Sequence, residues 1–412
     1  MARWTAAVRY ALPAVLLLTG CIKPEPALPP EEALAAANRQ INAILKEARA
    51  HAPRDRPEAI NETPDEPGRI DFWYYAHPLY SAGNLAPERG APQALRPLFI
   101  GEWPIAVQKL TVALAAGDEP EMALVKRGML AHLVDSGRIA QLDELLPPEL
   151  ISDLREPARQ TCSHDGRLYA LPADGFCSVL FYNQSLMDRP PATWAELRAS
   201  EEDFGKPAPA GPYLIGDLPF LESLWSAGGS VCDEYSGNLD QAPAYETLQF
   251  LLGLRSRGAL LSSAMGRPER GFELFLSGKA AMTAASSSFL PRTDRADFPT
   301  GMAPVPGMKG PVSAMGDDVV VVFQRYSRAK RKSIAQVGEF LTGSQVQGQA
   351  AADLGSVPVR SSVAENVSTP EGLNQAFEHG HGAPLVSAWP SVESVMYRCL
   401  DRAYAYEPEA AE

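Results

Sequence analysis

From Ile70 onward the chain alternates short apolar runs with helix-length ones, and this alternation constrains the fold more than any other feature of the sequence. "IDFWYYA" reads as a strand, and a helix rich in Ala, Val and Leu follows at about 105–116. "GDEPEMALVKRGMLAHLVDSG" then gives a turn, a short buried strand at Met122 to Val125, and a helix ended by Gly137. Strands interleaved with helices predict an α/β body with a largely parallel sheet. "GRLYALP" and "FCSVLFYN" are separated by "ADG", a hairpin-like signal. In "DRPPATWAEL", Thr193 followed three residues later by Glu196 predicts a capping box at a helix start.

A chain of 412 residues, 45% hydrophobic and 21% charged, can bury a large core and is expected to form two lobes. Its formal charge of −13 makes nucleic acid a poor partner, because phosphate binding needs a basic face. Cys162, Cys177, Cys232 and Cys399 allow three pairings or none, and their spacings are not those of a metal site. His379 and His381 lie close together in the Gly-rich "EHGHGAP", which reads as a loop rather than a metal centre. No nucleophile elbow, zinc-protease helix or P-loop pattern occurs, and nothing implies a cofactor.

The first twenty residues read as a leader. Arg3 and Arg9 form a positive start, Ala11 to Leu18 an apolar run too short to span a bilayer, and Leu18-Thr19-Gly20 precedes Cys21. Leu-Thr-Gly-Cys resembles the lipobox of bacterial lipoproteins, which implies cleavage before Cys21 and acylation of that cysteine. Two or more acyl chains, at about 0.8 kcal/mol per buried CH2, hold a folded body on a membrane stably. Loss of Arg3 and Arg9 with the leader brings the charge to about −15. Residues 22–69 contain eight prolines and one amphipathic segment, in which Leu34, Ile41, Ile44, Leu45 and Ala48 share a helical stripe. Residues 21–68 are therefore expected to be a tether whose helix holds the body off the membrane, the alternative being a helix that docks on a specific partner surface.

From about Ile70 to Ala403, "LAAGDEPEMALV", "DGRLYALP", "PPATWAEL", "LWSAGGSV", "FLSGKAAMTAASS", "GMAPVPG", "AKRKSIAQVGEFLTGSQVQ" and "SVPVRSSV" occur in one order. In that order they are similar to the extracellular solute-binding proteins of ABC importers, the carbohydrate-binding group that includes maltose-binding protein. The resemblance implies a two-lobed periplasmic-binding-protein-like α/β fold with the ligand cleft between lobes. Lobe 1 would comprise 69–178 plus 315–363, and lobe 2 would comprise 183–310 plus 368–405. It further implies a monomeric receptor outside the cytoplasm, on the periplasmic or outer face of the cell membrane. That receptor would take up a small polar solute, most plainly a carbohydrate, and present it to permease subunits. Disulfides, if formed, would join Cys162 to Cys177 and Cys232 to Cys399, within lobes.

A sugar offers apolar C–H faces and a ring of hydroxyls, so its site needs aromatic platforms edged by polar groups. Trp73 and Tyr74 end the first strand, where an open sheet overlooks its crevice. Trp225 precedes Gly228 and Gly229, glycines that admit a close backbone approach. Ser287, Ser288 and Phe289 follow the "GKAAM" strand, and Trp389 opens a late helix, at positions where the resemblance implies ligand contacts. Asp174, Asp317 and Asp318 offer carboxylates to hydroxyls, and the Asp317-Asp318 pair beside a strand end would also favour a cationic solute. Two competing classes are an exported glycoside hydrolase, which needs two carboxylates roughly 5 to 9.5 Å apart across a cleft, and an envelope scaffold without a small ligand.

Overall fold

The computed structural model describes residues 25–51, 69–198, 215–261, 268–324 and 330–406. The leader, Cys21 and the linker expected at 52–68 lie outside the described residues. Among the described residues no helix is long and apolar enough to cross a membrane.

Two sheets organise the chain. The first has five strands in the order β2-β1-β3-β8-β4: β1 (Ile70–Tyr74), β2 (Leu95–Phe99), β3 (Met122–Lys126), β4 (Ala170–Pro172) and β8 (Asp318–Val322). β1 pairs in parallel with β2 and β3, while β8 runs antiparallel between β3 and β4. The second sheet has β5 (Ser178–Asn183) at its centre, flanked by β6 (Met282–Ser286) and β7 (Thr300–Ala303), and its strand pairs are antiparallel. The sheet of the first lobe is thus mixed, with two parallel and two antiparallel pairs, and that of the second is antiparallel, where the sequence predicts a largely parallel sheet.

β5 shows why its sequence folds as it does. Side chains alternate across a strand, and Val179 and Phe181 enter one apolar core while Leu180 and Tyr182 enter the other. The first core runs from Ile70 to Val359 through β1, β3 and β8, and it also takes in Phe272, Phe275, Leu373 and Phe377. The apolar cores therefore do not divide cleanly at the lobe boundaries expected from sequence, because these residues cover the face of β5 that Val179 and Phe181 present.

"ADG" is not a hairpin. β4 and β5 belong to different sheets, and the chain between them crosses from one lobe to the other. It runs beside a second crossing, with Cys177 bridged to Met315 and Gly316 N–H donating to Phe176 O at 2.7 Å. Residues 356–357 join them, Val357 N–H donating to Gly175 O at 3.2 Å. A Cβ on Gly175 would lie 1.9 Å from Val357 O, so this close approach requires glycine.

The helices follow their sequence signals. α2 (Trp103–Ala116) starts with a proline in its first turn and stops at Gly117, whose φ of 70° suits a residue without a Cβ. At Thr193 the capping box forms: its Oγ1 accepts from Glu196 N–H at 3.1 Å, and the Glu196 carboxylate accepts from Ala192 N–H at 2.7 Å. α3 (Phe220–Ser226), α4 (Ala242–Ser256) and, beyond α5 (Pro268–Leu276), α6 (Arg331–Thr342) and α7 (Ser344–Leu354), the last long helix α8 (Trp389–Tyr404) build the second lobe.

The amino-terminal helix α1 (Pro30–His51) is not a spacer. Leu34, Ile41 and Leu45 are buried in the second core, with Ile44 and Ala48 packed against it, and Ala33 and Ala37 let α1 approach α8 closely. Asn38 Oδ1 accepts from Leu239 N–H at 3.2 Å and Asn42 Oδ1 from Gly237 N–H at 2.9 Å, while Glu25 pairs with Arg402 at 2.8 Å. The stripe legible in the sequence is a packing face, and its partner is the second lobe.

All four described cysteines are free and buried, so neither disulfide forms. Cys162 and Cys177 lie in the first core, Cys232 and Cys399 in the second. Burial pushes the thiols of Cys162, Cys177 and Cys232 up to about 12, which keeps them protonated and unreactive.

Candidate functional site between the lobes

Beside the crossings lies a cavity of about 320 Å3, within the usual range for small-molecule sites. Arg127, Met315, Gly316 and Asp317 line it from the first lobe; Asp217, Glu222, Trp225, Trp389, Glu393 and Tyr397 line it from the second. A larger groove of about 1220 Å3 runs past Trp194, Phe250 and Tyr404, but it is confined to one lobe with α1, so closure of the lobes would not enclose a ligand there.

Each cleft residue is fixed by its element. Asp217 ends the segment after the Ile215 bridge, just before α3, and Glu222 lies within α3 itself. Glu222 Oε1 accepts from Ser178 Oγ at 2.6 Å, tying α3 to the first residue of β5. Glu393 and Tyr397, four apart on α8, stand on one helical face. Trp225 caps the wall, its ring centroid 6.0 Å from that of His381. Arg127 is buried, its Nε donating to Thr161 O at 2.7 Å and Nη1 to Ala383 O.

Burial raises the carboxyl of Glu222 above the usual range, and burial together with the charge of Asp317 pushes Glu393 up to about 7. Asp317 keeps solvent contact along the cleft, yet the protein packed around it raises its carboxyl too, against the pull of Lys126 and Arg127. Burial likewise lowers His381, assisted by His379.

Of the residues expected from sequence, Trp225, Asp317 and Trp389 come together in the cavity. The others do not line it. Trp73 packs against the first core, and Tyr74 is buried with its ring 5.7 Å from Phe99. Gly228 and Gly229 close the end of α3, with N–H bonds to Trp225 O and Leu224 O, and a Cβ on Gly229 would meet Leu224 at 2.4 Å. Ser287 is fully buried, its Oγ accepting from Cys177 N–H at 3.2 Å, and the Ser288 hydroxyl pairs with that of Ser286 at 2.9 Å. Phe289 packs edge-on to Phe272 under the Arg292 guanidinium.

Asp174 and Asp318 meet instead at His77, whose Nε2 is 3.0 Å and 3.4 Å from their carboxylates. Leu79 N–H donates to His77 Nδ1 at 3.2 Å, which leaves the proton on Nε2, directed at Asp174. Lys126 Nζ stands 2.9 Å from Asp318, whose carboxyl burial nevertheless pushes up to about 7. The three side chains could in principle offer atoms to one ion, but the protonated Nε2 and the adjacent ammonium suit an internal hydrogen-bonded network rather than a metal centre. It holds the ends of β1, β3 and β8 in register beside the cleft.

Sequence reasoning missed Asp217, Glu222, Glu393, Tyr397 and Arg127. The available signal was a carboxylate inside an apolar stretch, as in "PFLESLW", since such a residue is buried only at a cost that a site can justify.

Two lobes, paired crossings and a lined cavity between them define a hinged solute-binding protein. The model for the bacterial extracellular solute-binding protein family matches residues 101–348, and the chain belongs to that family, whose place is outside the cytoplasm. A maltotriose-binding protein of Pyrococcus abyssi is 23% identical over 362 residues, covering 81% of this chain and 78% of its own. The sugar-binding protein MalE of Xanthomonas citri superposes with a TM-score of 0.69 at 20% identity, covering 82% of this chain and 92% of that one. The GacH receptor of Streptomyces glaucescens superposes with a TM-score of 0.65 at 23% identity, over 82% and 94%.

Proposed function

We propose that this protein is a lipid-anchored receptor that captures a sugar or oligosaccharide by lobe closure and delivers it to an ABC importer. The observation that carries this reading is the cavity itself: aromatic rings of Trp225, Trp389 and Tyr397 beside the carboxylates of Asp217, Glu222, Asp317 and Glu393. Rings suit the apolar faces of a sugar, and carboxylates accept two hydroxyl hydrogen bonds each. The maltotriose-binding relative and the sugar-binding neighbours support the same class. Hinged lobes give the permease a conformation to sense.

Anchoring through Cys21 is supported by the lipobox-like Leu-Thr-Gly-Cys. With α1 packed on the second lobe, a lipid at Cys21 would sit four residues from Glu25 and hold that lobe close to the membrane. Cys21→Ser should release the protein from the membrane or leave its precursor uncleaved. For the binding itself, a thermal-shift screen over mono- and oligosaccharides is the direct test, since a ligand at 100 times its dissociation constant stabilises by about 2.7 kcal/mol. Saturable binding without turnover is the expected result. Hydrolysis of a bound sugar would make the protein a glycosidase, and the absence of any stabilising sugar would leave a scaffold.

A further inference from the structure

The charge of the cleft narrows the class of solute, on the premise that the cleft is the receptor site proposed above. Among the described residues, four carboxylates, Asp217, Glu222, Asp317 and Glu393, line one cavity with one cation, Arg127. The Arg127 guanidinium is already engaged by Thr161 O and Ala383 O, and Lys126, next to it in sequence, turns to Asp318 on the far side of the crossing. The carboxylates do not stand alone as an acidic surface. They share an inter-lobe cavity with two tryptophans and a tyrosine, a lining made for an enclosed organic ligand.

Closing such a cleft on a neutral sugar would hold Glu222, Asp317 and Glu393 in a medium of low dielectric with no charge on the solute to offset theirs. A phosphorylated sugar would be repelled outright. An ammonium group would pair with the carboxylates and lie against the aromatic faces, both of which favour a cation. We infer that the solute is an amino sugar, a hydroxylated ring carrying a free ammonium group that sits among Asp217, Glu222, Asp317 and Glu393. In the unliganded cleft Glu393 retains a proton to about pH 7. Burial and the charge of Asp317 at the crossing both raise it, and Asp217 and Glu222 from around α3 and Tyr397 on its own helix line the same cavity. Binding of an ammonium therefore expels that proton, whereas a neutral ring leaves it in place.

The test is calorimetric titration of the full chain in detergent with three disaccharides that differ only at C2: β-1,4-linked diglucosamine, its N-acetylated form, and cellobiose, with maltose and glucosamine as further probes. Diglucosamine or glucosamine is expected to bind at least tenfold more tightly than its neutral counterpart and to weaken as salt rises. It is also expected to release protons at pH 7, seen as a dependence of the heat on buffer. Glu393→Gln and Asp317→Asn, with melting curves showing folded protein, should each erase most of that preference. Neutral sugars binding as tightly as the amines would overturn this inference and leave the receptor reading intact. So would an amine preference that survives both substitutions. If none of the sugars binds, charged or neutral, the receptor reading falls and this inference with it.

Discussion

Ser178 Oγ donates to Glu222 Oε1 at 2.6 Å, joining the first residue beyond the lobe crossing to a buried acid of α3. The hydroxyl favours the ionised carboxylate, while burial opposes it and prevails, so the carboxyl stays above its usual range.

Ser178→Ala removes that donor. The ionised carboxylate then loses its hydroxyl donor and keeps only backbone donors at Glu222 and Ala314, at a cost of about 1–3 kcal/mol. Because burial raises this carboxyl, acid neutralises it more readily than an ordinary glutamate and lessens its need for the donor, so the loss should be larger at pH 8 than at pH 5. Urea unfolding at the two pH values measures the difference, and equal losses would show that Glu222 is not ionised at pH 8.

Glu393 gives a second pH dependence. Its carboxyl is raised from the usual 4.5 to about 7 in the folded protein. A group that binds its proton more tightly when folded contributes stability that is whole below its unfolded pKa and lost as pH rises through the folded one. Unliganded protein should accordingly lose on the order of 1 kcal/mol at this residue between about pH 5 and 8, after allowance for its partial solvent contact. Glu393→Gln should flatten that portion of the stability profile, and a profile unchanged by the substitution would contradict the assignment.

The docked helix α1 is tested at Ile41, which is fully buried against the second lobe. Ile41→Ala should cost about 2–4 kcal/mol in the unfolding of that lobe. The same substitution in a helix acting only as a spacer would change nothing measurable. Gln40→Ala, which removes a bond to exposed Arg398, serves as the control and should fall within about 0.5 kcal/mol of the parent.

What the sequence disclosed and what it hid have physical causes. β1, β3, α2 and the Thr193 cap were legible because period, capping and turn chemistry are local. The stripe on α1 was legible as well, but a stripe does not name its partner, and only the assembled lobe shows α8 behind it. Asp317 and Asp318 read as one doublet, yet adjacent strand residues face opposite ways. One enters the cleft and the other pairs with Lys126 and His77. Asp217, Glu222 and Glu393 sit in segments more than 170 residues apart at their extremes, and no local pattern brings them to one wall. Asp174 and Ser287 had the right chemistry and the right neighbourhood, but the crossing itself uses them to hold Phe176 and Cys177.

The two cleft tryptophans separate binding from packing. Trp225 is only partly buried, with a face open to the cavity, whereas Trp389 is 4% exposed and serves the second core as well as the cleft wall. Removing an aromatic contact of some 60 Å2, at about 25 cal/mol per Å2, forfeits on the order of 1.5 kcal/mol of binding. Trp225→Ala should therefore weaken the best ligand from the screen about tenfold with little change in melting temperature. Trp389→Ala should also lower stability by about 3–5 kcal/mol, so its binding role is better read from Trp389→Phe, which keeps most of the core volume. Trp73→Phe, outside the cavity, should leave affinity within about twofold of the parent, under 0.5 kcal/mol, as expected for a residue that shares no partner with the ligand. Titration of the four variants with one ligand decides the matter: affinity unchanged in Trp225→Ala and Trp389→Phe, with both proteins folded, would place the sugar elsewhere.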